Sequence, residues 1–190
     1  MKKTISRSIS VIIILCISVL AGFIIDNVCD IIDKKTHPRK YAEYVEKYSE
    51  MYGVPEAVIY ATIRTESNFV SNAVSKVGAV GLMQIMPDTF LWLCEKQGEE
   101  LEVGMLYDPE TNIKYGTYYL SYLYTNFGLW QTVYAAYNCG PGRVKEWQKN
   151  AEYADENGIL KKIPIRETSD YVKKVKKAVT IYEKLYYQGE

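Results

Sequence analysis

Histidine is almost missing from this chain: His37 is the one example among 190 residues. That scarcity excludes a good deal. A Ser-His or Cys-His nucleophile pair needs a histidine inside the fold. A zinc hydrolase typically needs two or three such ligands. His37 lies in a polar stretch ahead of the main body of the sequence, so neither chemistry has its parts unless that stretch folds back. The cysteines Cys16, Cys29, Cys94 and Cys139 make no C-x-x-C and no Cys/His metal spacing. No metal or other cofactor is expected. A Cys94–Cys139 disulfide and two free buried thiols both remain open, because spacing does not fix whether the Cα atoms approach.

Excess charge is also lacking. Lys+Arg and Asp+Glu stand at 23 each, so no nucleic-acid partner is expected. There is no glycine-rich phosphate loop, no low-complexity tract and no repeat. Carboxylate chemistry remains, and it suits the cleavage of glycosidic bonds. Tyrosine is abundant instead, with 18 in the chain. Such side chains are rigid and amphipathic: most fill core and surface, but they can also stack on ligands.

The N-terminus reads as a membrane signal. Lys2, Lys3 and Arg7 fall in a basic segment, residues 1–8, ahead of an apolar run over residues 9–25. The run is about 17 residues, roughly 25 Å of helix, the short end of a bilayer span. The charge bias keeps residues 1–8 in the cytoplasm and exports the rest. The alternative is a cleaved signal peptide, but Val19-Leu20-Ala21-Gly22 is a poor cleavage site. The large Leu15 before Cys16 and Val28 before Cys29 speak against a lipoprotein. The expectation is a single-pass membrane protein, with residues 26–38 as a polar tether and residues 39–190 as one extracytoplasmic domain.

That domain reads as mostly α-helical. Tyr41, Val45, Tyr48 and Tyr52 recur at helical spacing, and Gly53 ends the helix. Pro55 opens a second helix running toward Glu66. Asn72 to Leu82 suits a small β-hairpin or irregular loop. Pro87-Asp88 opens a helix that ends near Gly98. Further helices are predicted over 112–127, 130–138 and 144–149. Thr168 or Ser169 is expected to cap a long final helix.

Glu66 is the carboxylate of interest. It follows the apolar run Ile59-Tyr60-Ala61-Thr62-Ile63. A carboxyl at the mouth of an apolar helix is partly desolvated, which raises its pKa toward neutrality and lets it donate a proton. From local context alone, an ordinary helix-surface glutamate is the commoner outcome.

Ordered motifs change that weighting. Glu66-Ser67-x-Phe69, Ala73-Val74-Ser75 and Gly78-Ala79-x-Gly81-Leu82-Met83-Gln84-Ile85-Met86-Pro87 come first. Tyr107-Asp108-Pro109-x-x-Asn112-Ile113 and Gly116-x-Tyr118-Tyr119-Leu120 follow. Ala135-Ala136-Tyr137-Asn138-x-Gly140-Pro141-Gly142-x-Val144 and Glu167-Thr168-x-x-Tyr171-Val172 close the series. Together, over about residues 40 to 185, they resemble the soluble lytic transglycosylase (SLT) domain, glycoside hydrolase family 23.

The resemblance implies a lysozyme-like α-helical fold with a cleft for the glycan strands of peptidoglycan. It implies that Glu66 protonates the oxygen between N-acetylmuramic acid and N-acetylglucosamine, then takes the proton of the muramic C6 hydroxyl. That hydroxyl closes on C1 as a 1,6-anhydro product, without water. Ser67 is expected beside the carboxyl, helping to orient it, and Met83 and Gln84 against the sugar. Tyr137 and Asn138 are expected in the cleft wall, with Glu167 and Tyr171 from the last motif and Tyr171 near Glu66. Ser169 stands where the family usually has Arg, and Cys139 where a small residue is common. Small anchored enzymes of this kind can serve secretion or conjugation machines, but the sequence carries no module for such a partner.

Two other readings stay open. A hydrolytic muramidase of the goose-lysozyme type needs a second carboxylate to position water. Ser67 to Gln84 contains none, though Glu167 or a distant acid could serve. A wall-binding or assembly protein without catalysis is the alternative from another class.

Overall fold

The computed structural model describes the backbone of residues 2–187 and the side chains of residues 17–25 and 27–187. The chain falls into two compact units, residues 1–38 and 39–190.

The first unit is one helix, α1, Lys2–Thr36. The stretch expected as a polar tether is therefore helical almost to its end. Asp30, Asp33, Lys34 and Lys35 are all helix-compatible, and Lys34 and Lys35 fall in the last turn, where cations favour the helix dipole. Pro38 disfavours helical backbone at His37, which is where the helix stops. The expected span over residues 9–25 rests largely on side chains outside the described residues. Among the described residues, no helix is long and apolar enough to cross a membrane. The described part of the run is nonetheless apolar and open: Ile17, Val19, Leu20, Phe23, Ile24 and Ile25 are all more than half exposed.

The second unit is built of helices packed on helices. It contains α2 (Ala42–Tyr52), α3 (Glu56–Ser67), α4 (Pro87–Gln97), a short 3-10 turn (Val103–Tyr107) and α5 (Pro109–Phe127). α6 (Trp130–Cys139), α7 (Pro141–Gln148) and α8 (Arg166–Tyr186) complete it. Among the described residues the β content is three isolated antiparallel bridges, Val74 with Val80, Val80 with Ile85 and Ala154 with Leu160. The expected hairpin is thus a looped excursion pinned at single points. The 3-10 turn and the loop over 149–165 have no periodicity and were not anticipated.

α3 is the axis of the domain. Every residue from Ala57 to Ile63 is buried, so the helix is apolar on all sides because it is surrounded on all sides. α8 lies along it, α2 packs on its flank, and α6 joins α8 to α5. Gly53, Gly98 and Gly128 end α2, α4 and α5 in the left-handed conformation, as their positions predict. The Asp108 side chain caps α5 by accepting from the Thr111 amide. α8 differs from expectation: it starts at Arg166 after Ile165, with no side-chain cap. Thr168 is buried inside the first turn, which removes it from capping.

Candidate active site

α3 delivers Glu66 in its last turn, just after the buried run. Asn68 then ends the helix in the left-handed conformation, and Phe69 repeats that conformation. The chain turns sharply, and Phe69 is buried again against the Tyr60 ring. Glu66 is left half-buried at the edge of the core.

Two tyrosines face its carboxyl. The Tyr171 hydroxyl, brought by α8, donates to Glu66 Oε1 at 2.7 Å. The Tyr137 hydroxyl, from α6, donates to the Met83 carbonyl at 2.8 Å. Burial, with Glu66 next in importance, drives both phenols well above their usual pKa, so they stay protonated as donors. Glu66 itself is pushed from an ordinary 4.5 up to about 7. Desolvation is the cause, and the Tyr171 bond pulls part of the way back. No neighbouring carboxylate contributes to the shift.

The loop after α3 forms the second wall. Asn112 on α5 organises it. Its side-chain carbonyl accepts from the Met83 amide at 2.8 Å, and its side-chain nitrogen donates to the Val80 and Leu106 carbonyls. Gly81 sits with φ of 82°, directly against that amide, and a Cβ there would collide with Asn112 Nδ2. The glycine is needed both for the turn and for the close approach. The Val80 and Ile85 backbones exchange two bonds of 3.0 Å, and the Gly81 amide donates to the Ala73 carbonyl.

The site residues expected from sequence take different places. Tyr171 lies on Glu66. Ser67 follows it in sequence, but its hydroxyl donates to the Leu82 carbonyl at 2.7 Å and the Ile63 carbonyl at 3.2 Å. It thus ties α3 to the loop and does not hold the carboxyl. Met83 departs from expectation more clearly: its side chain is fully buried, and its sulfur occupies the space a Cβ at Gly116 would need. Gln84, at φ of 50°, donates its side-chain nitrogen to the Ala73 and Gly81 carbonyls. Gln84, Tyr137 and the exposed Asn138 line one cavity of about 240 Å³, together with Thr89, Tyr119 and Cys139. Glu167 is exposed in the first turn of α8. Cys94 and Cys139 are both free thiols. Burial raises the pKa of the Cys139 thiol, and the neighbouring Thr168 pulls part of the way back.

Asn112, Thr89 and Tyr119 were not singled out from sequence. Asn112 and Tyr119 belong to motifs that carry the resemblance, but neither has a chemistry that marks it. A buried asparagine and a wall tyrosine become visible only through their contacts.

Residues 43–160 match the family model described as the transglycosylase SLT domain. This chain belongs to that family. It is 38% identical over 159 residues to the soluble lytic murein transglycosylase of Escherichia coli (strain K12), covering 80% of this chain and 24% of that protein. It is 39% identical over 124 residues to membrane-bound lytic murein transglycosylase C of Edwardsiella ictaluri, covering 60% of this chain and 34% of that one. Among solved structures it superposes on the 70 kDa soluble lytic transglycosylase of E. coli with a TM-score of 0.74 and 36% identity. The Slt lytic transglycosylase of Pseudomonas aeruginosa, solved as an inactive Glu-to-Gln mutant, gives 0.74 and 33%. Each superposition covers 83% of this chain and 26% of the other. This SLT-family chain therefore spans about a quarter of the length of those larger relatives, and the superpositions support a mostly helical, lysozyme-like fold.

Proposed function

We propose that this SLT-family chain is a peptidoglycan lytic transglycosylase with Glu66 as its acid and then its base. The observation that carries the reading is a carboxyl raised to about 7 by burial, held by Tyr171, with no second carboxylate contributing to its shift. Near neutral pH such a group is populated in both protonation states, which a residue serving as acid and then base requires. The proton on Glu66 passes to the glycosidic oxygen as the C1–O bond breaks. The positive charge that develops at C1 then lies near a newly formed carboxylate in a desolvated site. Glu66 next takes the proton of the C6 hydroxyl while that oxygen bonds to C1. The atoms balance without water, and Glu66 ends protonated as it began.

The surroundings support each step. The Tyr171 donor steadies the carboxylate form that the first step creates. Asn138 offers its side-chain amide, and Gln84 its side-chain carbonyl, to the sugars from the 240 Å³ cavity. Two relatives of the same domain are named lytic murein transglycosylases, and the inactive P. aeruginosa form carries a Glu-to-Gln exchange.

The same proposal places the domain outside the cell membrane, anchored by residues 9–25. Ile17 to Ile25 expose an apolar surface that favours lipid over water, and one family relative is named membrane-bound. The substrate is the glycan strand of peptidoglycan. The test is Glu66→Gln in the full chain: it should still bind purified peptidoglycan in a pull-down and no longer solubilise it. Undiminished solubilisation by that variant would remove Glu66 from the chemistry.

A further inference from the structure

α8 buries one side and presents lysine on the other. Val172, Val175, Ala178 and Tyr182 are buried, and Tyr171 reaches Glu66 from the same side. Within this stretch runs Lys173-Lys174-Val175-Lys176-Lys177, in which Val175 is buried and all four lysines are exposed. The chain as a whole is neutral, yet residues 171–182 contain no aspartate or glutamate. Asp170, just before the stretch, reaches Lys173 at 3.4 Å, and Glu183 follows it. Such a row does not serve the helix itself. Lys173 and Lys176, Lys173 and Lys177, and Lys174 and Lys177 stand three or four positions apart, where like charges repel. The row is matched to something negative outside the fold.

The lysines continue into an aromatic surface. Lys176 donates to the Gln131 side-chain oxygen at 3.3 Å, which sets the start of α6 beside the row. There Trp130 is half-buried, with its ring 4.5 Å from that of Tyr124 and 5.9 Å from that of Tyr134. Tyr124 and Leu129 are exposed. Cations alone would suit any polyanion. Cations beside an open Trp, Tyr and Leu suit an anionic bilayer, whose head groups take the ammonium groups while the boundary beneath them takes amphipathic rings.

We propose that the lysine row of α8 and the Trp130 edge of α6 dock the domain on an anionic bilayer surface. This rests on the anchoring reading above, under which the same chain is already fixed in a bilayer and the contact is intramolecular in effect. Trp130 opens α6, whereas Asn138 and Cys139 of the 240 Å³ cavity end it, so docking leaves that cavity free for glycan.

The test uses the full chain in vesicles of phosphatidylcholine with an equal part of phosphatidylglycerol, or of phosphatidylcholine alone. Each is made with and without acyl chains brominated near the head group, since bromine quenches tryptophan on contact. The difference between the native chain and Trp130→Phe isolates Trp130 from Trp92 and Trp147. The Trp130 emission should be quenched in the anionic vesicles, recover at high salt and stay unquenched in the neutral ones. Each lysine-to-glutamine exchange at 173, 174, 176 or 177 should lower the docked-to-undocked ratio roughly fivefold. All four together should abolish the quenching without lowering the melting temperature. No quenching in anionic vesicles, or equal quenching in both kinds that survives the four exchanges, would overturn the surface. So would a lysine-dependent change in Trp130 emission on adding polyphosphate with no quenching by brominated lipid, which would assign the row to a soluble polyanion. Anchoring is read separately, by alkaline extraction of the same vesicles. Release of the chain there, with Trp130 quenching in anionic vesicles intact, would remove the anchor and leave the docking surface standing.

Discussion

At the scale of single residues, Glu66 carries a stability cost along with its proposed chemistry. Its carboxyl titrates at about 7 in the fold and near 4.5 when unfolded. Between those values the unfolded chain loses the proton first, so folding stability falls as pH rises through this window. The loss is complete above about 7 and amounts to about 3 kcal/mol. Glu66→Gln removes it while leaving an oxygen for Tyr171. That variant should melt roughly 5–10 °C higher than the native protein at about pH 8 and equally near pH 4; an unchanged melting temperature across that range would mean the carboxyl is not desolvated. Cleavage should fall about 100- to 10,000-fold in the same variant. Tyr171→Phe tests the other half of the pair. The Tyr171 bond favours the charged carboxyl, so its loss should move the group above about 7. The alkaline limb of the pH–rate profile should shift upward, and a downward shift would contradict the assignment.

At the scale of elements, the loop between α3 and α4 depends on one side chain. Asn112 satisfies one buried amide and two carbonyls, from Met83, Val80 and Leu106. Asn112→Ala leaves all three unpaired, which should cost about 3 kcal/mol at roughly 1 kcal/mol each. Chemical denaturation would show it as a lower midpoint with unchanged slope. Because Tyr137 rests on the Met83 carbonyl, the variant should also lose activity well below its unfolding temperature. The helices of this region were legible in sequence because their apolar spacing, Pro55 and Pro87 at the starts and Gly53, Gly98 and Gly128 at the ends all agree. The loop was legible only as a break in that pattern. Its conformation comes from Asn112, some thirty residues further on, and from left-handed Phe69 and Gln84, which no local rule predicts, beside Asn68, a residue type that commonly ends a helix that way. Met83 was misplaced for a related reason: the next residue in the motif, Gln84, lines the cavity, but the space above Gly116 draws the Met83 side chain into the core.

At the scale of the whole molecule, α3 and α8 hold Glu66 and Tyr171 together. Glu66 and Tyr171 are 105 positions apart, and the pair forms only because α8 packs along α3. Ile59 is fully buried in the middle of α3. Ile59→Ala should cost about 2–5 kcal/mol, measured by thermal melting, with activity lost in step with the folded fraction. The far ends of the domain are also joined. Arg39 pairs with Glu56 at 3.0 Å and lies over the rings of Tyr60, Tyr186 and Tyr187, while the Tyr187 hydroxyl donates to Glu56 at 2.7 Å. The proposed membrane anchor belongs to this scale as well: deletion of residues 9–25 should move the protein from the membrane fraction to the soluble one.

The central claim is that Glu66 works without a second carboxylate, so that the substrate's own C6 hydroxyl replaces water. Mass spectrometry of purified peptidoglycan digested with the full-length protein tests this most directly. The account predicts fragments ending in 1,6-anhydromuramic acid, each lighter by one water than its hydrolytic counterpart. Reducing muramic ends in their place would contradict it and would require a second acid to hold the attacking water.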